Sequence, residues 1–284
     1  IKKYKKFKII PYLISSQKFK YVNDILDKFE KYSDLLGYDI SDLNEKDIDE
    51  DDRRKIMRTP LIYAILKGEE EIIKKLIRLG VDINITDETR DGQSGRENAL
   101  FYLIRSDKFT NKKKLELLKY FVDNGGNIYT QNANGSTLLM AAITSKCGKD
   151  IIKYLINKGI GVNETNDLGF SPLMAAIIWN TMGGNHLPHV NPFKNNLEII
   201  KILVENGADV NARMRTGWTP LKWAIDRKSF EIVKYLVENG AEIEDISYDQ
   251  GQNNNNIEYP ADIEALDKIK RYLRDKKRME KYKK

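Results

Sequence analysis

One cysteine and two histidines limit the metal and nucleophile chemistry that 284 residues can carry. Cys147 lies near Lys146 and Lys149, whose charges would lower a thiol pKa. No base is ordered beside it, so an incidental small residue is preferred over a nucleophile, and a lone cysteine closes no intramolecular disulfide. His186 and His189 stand three apart, but Pro188 and Gly183-Gly184 argue for a loop, and two ligands fall short of the three or four a zinc site needs. The paired glycines lack the following Lys and hydroxyl of a phosphate-binding loop. Residues 39–52 hold eight acids and one lysine without the glycine and ligand spacing of a calcium loop, and read as a solvated linker or exposed helix. No carboxylate pair is marked for acid-base work. The sequence therefore predicts no catalytic residue, no cofactor and no metal, and a chain that is not an enzyme.

The net charge of +6 suggests nucleic acid until it is partitioned. Residues 1–8 carry five lysines and residues 268–284 carry ten bases against two acids, so the ends hold +13 and residues 9–267 hold −7. Basicity is confined to two short tails on an acidic body, which makes nucleic acid an unfavoured partner. No apolar stretch approaches the roughly 18 residues of a membrane span.

The elements that would position a functional surface come from a repeat. Thr59-Pro60-Leu61, Asn98-Ala99-Leu100, Thr137-Leu138-Leu139, Ser171-Pro172-Leu173 and Thr219-Pro220-Leu221 open five units. Each begins with a hydroxyl or amide suited to a helix N-cap, and three place Pro at the first helical position. Paired aliphatics four apart follow, as in Ile72, Ile73, Leu76 and Ile77, and make one apolar face of a second helix. That helix ends at Gly80, Gly125, Gly159, Gly207 or Gly240, suited to a left-handed cap. Short extended segments such as Val81-Asp82-Ile83-Asn84 and Ala208-Asp209-Val210-Asn211 then read as projecting turns or hairpins.

Together these features resemble the ankyrin repeat, most closely from Gly217-Trp218-Thr219-Pro220-Leu221 through Asn239-Gly240-Ala241. The resemblance implies an all-α solenoid of helix-turn-helix repeats joined by projecting loops, a single elongated domain with degenerate caps. The expected organisation is a degenerate helical cap and acidic linker over 1–56, five repeats over 57–251, and capping helix or helices with a basic tail over 252–284. The family's histidine after the leucine is replaced by Ile62, Phe101, Met140, Met174 or Lys222, so its inter-repeat hydrogen bond is absent and apolar packing substitutes in four units.

Openings are spaced 39, 39, 34 and 48 residues apart against a period of about 33, so three intervals carry insertions. The first falls around Arg90 to Arg96, the second between helices near Lys108 to Lys113, and the third spans Asn180 to Asn196, a loop able to cover or extend a binding face. Toward the ends, Pro11, Val22, Ile25, Leu26 and Phe29 suggest a capping helical pair, and Ile269, Tyr272 and Leu273 a shortened closing repeat.

Such a stack presents a concave surface built from turn tips and first helices. The position before each opening, exposed in this family, holds Arg58, Glu97, Ser136, Phe170 and Trp218. Phe170 and Trp218 on neighbouring repeats, with Leu168, Arg213 and Arg215 alongside and Trp179 beside the third insertion, form the candidate partner-binding set. Two readings stay open for the aromatic pair, interface anchors or packing over their own turns. Tyr63, Tyr102 and Trp223, aligned on the first helices, are expected to be core. The expected function is a non-enzymatic, monomeric scaffold binding an unidentified protein or peptide. The alternatives are binding of nucleic acid or anionic membrane through the basic tails, or service as the targeting arm of a larger protein. The chain opens on Ile1 rather than Met, so the cytoplasm and export after removal of an upstream signal both remain open, with the cytoplasm favoured.

Overall fold

The computed structural model describes residues 9–36, 43, 47–48, 56–89, 95–178, 194–243 and 260–281. The chain divides into two compact units, Ile1–Ile160 and Gly161–Lys284. Repeats touch only their sequence neighbours, so a repeat chain has no single central core to hold it as one body.

The first unit runs α1 (Ile9–Ser15), α2 (Phe19–Leu36), β1 (Asp47–Ile48), β2 (Ile56–Arg58), α3 (Pro60–Lys67), α4 (Glu70–Arg78), β3 (Glu88–Thr89), α5 (Ala99–Arg105), α6 (Asn111–Asp123), α7 (Leu138–Thr144) and α8 (Lys149–Asn157). Each first helix packs on its own second helix and on the next first helix, α3 on α4 and α5, and α5 on α6 and α7. Helices α1 and α2 lie against α3 and α4 as a preceding repeat would, burying Ile10, Leu13, Ile14, Val22 and Leu26. Ile25 is half-buried, and the Phe29 side chain lies outside the described ones.

The second unit holds α9 (Pro172–Ile178), α10 (Lys194–Glu205), α11 (Pro220–Asp226), α12 (Phe230–Glu238) and α13 (Pro260–Lys281). Helix α9 packs on α10 and α11, α11 on α12, and α12 on α13. Helix α13 runs 22 residues as one element, burying Ile269 and Leu273 and setting Tyr272 edge-on to Phe230 at 5.5 Å. No described helix is long and apolar enough to cross a membrane.

All five openings cap their helices. Thr59, Thr137, Ser171 and Thr219 accept from the N–H three residues on at 3.2–3.3 Å, and Asn98 accepts from Leu100 at 3.1 Å and more weakly from Phe101. A cap of this kind is worth about 1 kcal/mol. The paired aliphatics are buried almost throughout, and the five closing glycines all take left-handed φ, between 83° and 92°. Ile62, Phe101, Met140 and Met174, at the missing histidine position, are buried, whereas Lys222 is half-exposed.

The stack has a different inter-repeat link instead. Asn84 donates through Nδ2 to the Gly125 carbonyl (3.0 Å) and accepts the Asn127 N–H (2.8 Å). Asn163 does the same with Gly207 and Asp209, and Asn211 with Gly240 and Glu242, all at 2.8–2.9 Å. Between the second and third repeats the position is Tyr129, whose hydroxyl reaches the Lys158 carbonyl at 2.5 Å.

A three-stranded antiparallel sheet, ordered β1-β2-β3, lies at the entrance to the first repeat. It corrects the reading of residues 39–52 as a solvated linker or exposed helix: Asp47 and Ile48 pair with Arg58 and Met57, and Leu43 is buried. The remaining residues of that segment lie outside the described ones. Strand β3 immediately precedes the first insertion and pairs with β2, while Glu88 bridges Gly95 inside the insertion. The second insertion is shared between the connection, five residues over 106–110 against two between α3 and α4, and α6, which has 13 residues against 9 in α4, α8 and α12 and 12 in α10. The third lies almost wholly outside the described residues, with Gly183-Gly184, His186 and His189 in it and Trp179 beside it.

Candidate interaction surface

Five of the six residues singled out for partner binding, all in the second unit, can be placed; Trp179 lies outside the described residues. The turn Asn166–Phe170 closes by the Asn166 N–H on the Phe170 carbonyl (3.1 Å), while Asn166 Oδ1 accepts from Leu168 and Phe170 at 3.0 Å. The next tip repeats the geometry, with the Met214 N–H on the Trp218 carbonyl (2.9 Å) and Gly217 on Met214 (2.8 Å). The two tips are tied by the Arg215 N–H donating to the Leu168 carbonyl at 3.0 Å. They approach so closely that a Cβ on Gly169 would sit 3.1 Å from Met214 Cα, and Gly169 also has φ +75°, which a side chain would strain.

Leu168 is 60% exposed on this paired tip, an unusual place for a large apolar side chain held by three backbone hydrogen bonds within two residues. Arg213 and Arg215 flank it, both exposed, and Arg213 pairs with Glu242 at 3.6 Å. Phe170 and Trp218 occupy equivalent positions and are half-buried.

Packing over its own repeat holds for Trp218. Its ring lies 4.3 Å from that of Trp223, at 41°, and the Arg227 guanidinium stands 5.7 Å over Trp223. Trp223 and Arg227 are one helical turn apart on the same face, which is why the chain can stack indole, indole and guanidinium in series. Trp223 is therefore half-buried in a surface stack rather than in the core expected for it. Its Nε1 is screened from solvent and meets no acceptor among the described residues.

In the first unit the same positions do different work. Arg58, expected at an exposed tip, is only 5% exposed. Strand β2 turns it inward, where its Nε donates to the Tyr102 hydroxyl at 3.1 Å. Tyr102 in turn donates to Asp87 Oδ2 at 2.6 Å, and Asp87 Oδ1 accepts the Glu97 N–H at 2.8 Å. Glu97 also pairs with Arg105 and accepts from Asn132 at 3.1 Å. Burial, then the hydrogen bond to Asp87, pushes the Tyr102 phenol far up. Of the three aligned aromatics only Tyr63, 2% exposed, is core as expected. A buried arginine at a nominal tip and an acid beside an inserted turn gave no local pattern from which this network could be read.

Cys147 corrects a second expectation. Its thiol is buried, burial pushes its pKa up, and the charge that partly offsets this is Lys114 rather than Lys146 or Lys149. Lys114 Nζ and Cys147 Sγ both point at the Ile104 carbonyl, at 2.7 and 3.6 Å. Among the described residues no cluster of three metal-ligating side chains occurs.

A family model described as ankyrin repeats (3 copies) matches residues 100–191 and 189–247, over half of the chain, and a single ankyrin-repeat model matches 57–88. The chain belongs to the ankyrin-repeat family. The unmatched residues 89–99 between the two models hold the first insertion, and the two longer matches meet inside the third. A comparison with curated proteins finds no match. Ankyrin repeats generally mediate protein–protein interaction, and ankyrin-repeat proteins are typically non-enzymatic scaffolds.

Proposed function

We propose that this ankyrin-repeat chain is a non-enzymatic interaction module whose second unit binds a protein or peptide segment on the paired tips and the first helix behind them. Leu168, Phe170, Arg213, Arg215 and Trp218 form the contact set, and Trp179, beside the third insertion in the sequence and outside the described residues, is kept with it as part of the proposal. The observation that carries the reading is the tip pair itself. An exposed leucine between two arginines is fixed by backbone hydrogen bonds before any partner arrives, so little entropy is lost on binding.

A displayed random-peptide library selected on the intact protein tests this reading. Enriched peptides should lose about tenfold or more in affinity on Leu168→Asp, the cost of removing an interface anchor. Thermal unfolding should be nearly unchanged, because the side chain is exposed. Failure to enrich peptides, or enriched peptides indifferent to Leu168→Asp, overturns it.

The tail-based alternative has less support. The basic C-terminal segment is continuous with α13, whose Ile269 and Leu273 are spent on packing within the unit. The proposed reading holds equally if the chain serves as the targeting arm of a larger protein.

A further inference from the structure

Charge in the second unit is segregated in a way the bulk composition hides. Residues 213–228 hold five bases, Arg213, Arg215, Lys222, Arg227 and Lys228, against the single acid Asp226. The rest of 161–267 holds three bases against fifteen acids, and the end of the unit, 268–284, holds ten bases against two acids in and after α13. This basic strip is the fifth repeat's turn tip and first helix, the elements that carry the Trp218–Trp223–Arg227 stack.

We infer that the strip binds a short acidic peptide segment bearing one apolar or aromatic anchor, the anchor lying against Leu168 and Trp218 and the carboxylates against Arg213 and Arg215. This rests on the surface proposed above and adds the chemistry of its occupant. Three observations support it. Arg213 and Arg215 project from one exposed turn, where guanidinium forks can take carboxylates in pairs. Arg213 already holds one carboxylate, Glu242 at 3.6 Å, an exposed pair a partner's acid can replace at small cost. Arg227 is committed inward, over Trp223 and 3.4 Å from Asp226, so it stiffens the aromatic platform while the tip arginines face solvent. A long polyanion such as nucleic acid fits less well. Extending beyond the strip along the repeats, it would meet residues 161–212 and 229–243, which hold eight acids against three bases, whereas a short segment meets only the strip.

Fluorescence anisotropy with the full chain tests the inference. The probes are a labelled peptide of Asp and Glu around one Phe, its Asn/Gln counterpart, and a single-stranded oligodeoxynucleotide of equal charge. The acidic peptide should bind about tenfold tighter than the neutral one at low salt, and the preference should shrink between roughly 50 and 200 mM salt. The pair Arg213→Glu with Arg215→Glu should abolish the preference, while Arg213→Gln with Arg215→Gln, chosen to guard against misfolding, should reduce it to within about threefold. Equal binding of acidic and neutral peptides that still depends on Leu168 overturns the inference and leaves the interaction surface standing. Tight oligonucleotide binding without peptide binding overturns it in favour of nucleic acid. No binding dependent on Leu168, Arg213 or Arg215 overturns both the inference and the surface.

Discussion

Trp218, before the last opening, and Trp223, one turn into the helix it opens, place their rings 4.3 Å apart. An aromatic contact at this distance contributes about 0.5–1.5 kcal/mol beyond the area it buries. Trp218→Ala and Trp223→Ala should therefore be non-additive in urea unfolding by that amount. A double-mutant cycle with no coupling would show that the rings share a surface without supporting each other.

The asparagine links predict a cost that reads across repeats. Asn163→Ala and Asn211→Ala each remove two hydrogen bonds to the following repeat and should each cost about 1–2 kcal/mol. Tyr129→Asn should be neutral or stabilise by about 0.5–1 kcal/mol, because it exchanges one long-armed contact for the two-bond link used elsewhere. Equilibrium denaturation measures both, and a loss above about 1 kcal/mol for Tyr129→Asn would mean the tyrosine is required where it stands.

Lys146 ends the turn after α7 with φ +55°, the place Gly68 takes after α3 with φ +79°. Both N–H groups close the same bond to the carbonyl three residues back, to Ile143 and Ile65. A left-handed non-glycine residue is strained by roughly 1–2 kcal/mol, part of which glycine returns as unfolded-chain entropy. Lys146→Gly should thus raise stability by about 0.5–1 kcal/mol and Lys146→Ala should not.

Tyr102 and Cys147 make the first unit sensitive to alkali. Their ordinary values are 10.0 and 9.0, and in the folded chain both hold their protons to higher pH, chiefly because they are buried. The unfolded chain then releases protons first, so their contribution is intact below those ordinary values and is lost as pH rises through and above them. Urea midpoints taken from about pH 8 to about pH 11 should fall, and Tyr102→Phe should flatten the fall. The same burial should make Cys147 react with thiol reagents far more slowly folded than in denaturant.

Most of the architecture was legible because it is written in local chemistry repeated five times. Thr59 and its counterparts cap, Pro60, Pro172 and Pro220 start helices, and Gly80 and its counterparts end them, each through contacts a few residues away. What escaped is long-range. Arg58 and Tyr102 are 44 residues apart, and nothing in either neighbourhood announces that β2 will turn the arginine inward. The asparagine of Val-Asp-Ile-Asn read as part of a turn because its partners lie a whole repeat away. At the candidate surface the residue types were legible and their division of labour was not. Leu168 and the tip arginines are presented outward, while Trp218 is spent partly on Trp223.

The links at Asn84, Asn163 and Asn211 act as one standard coupling, an amide on one module and a glycine carbonyl with a backbone N–H on the next. Modules sharing such a coupling can be duplicated, deleted or exchanged without redesigning the joint. The Tyr129 to Lys158 joint is of another gauge, a longer side chain reaching the carbonyl one residue before the closing glycine. Recombination that respects the asparagine joints keeps two hydrogen bonds at each junction, whereas the joint at Tyr129 carries one, from a phenol to a backbone carbonyl.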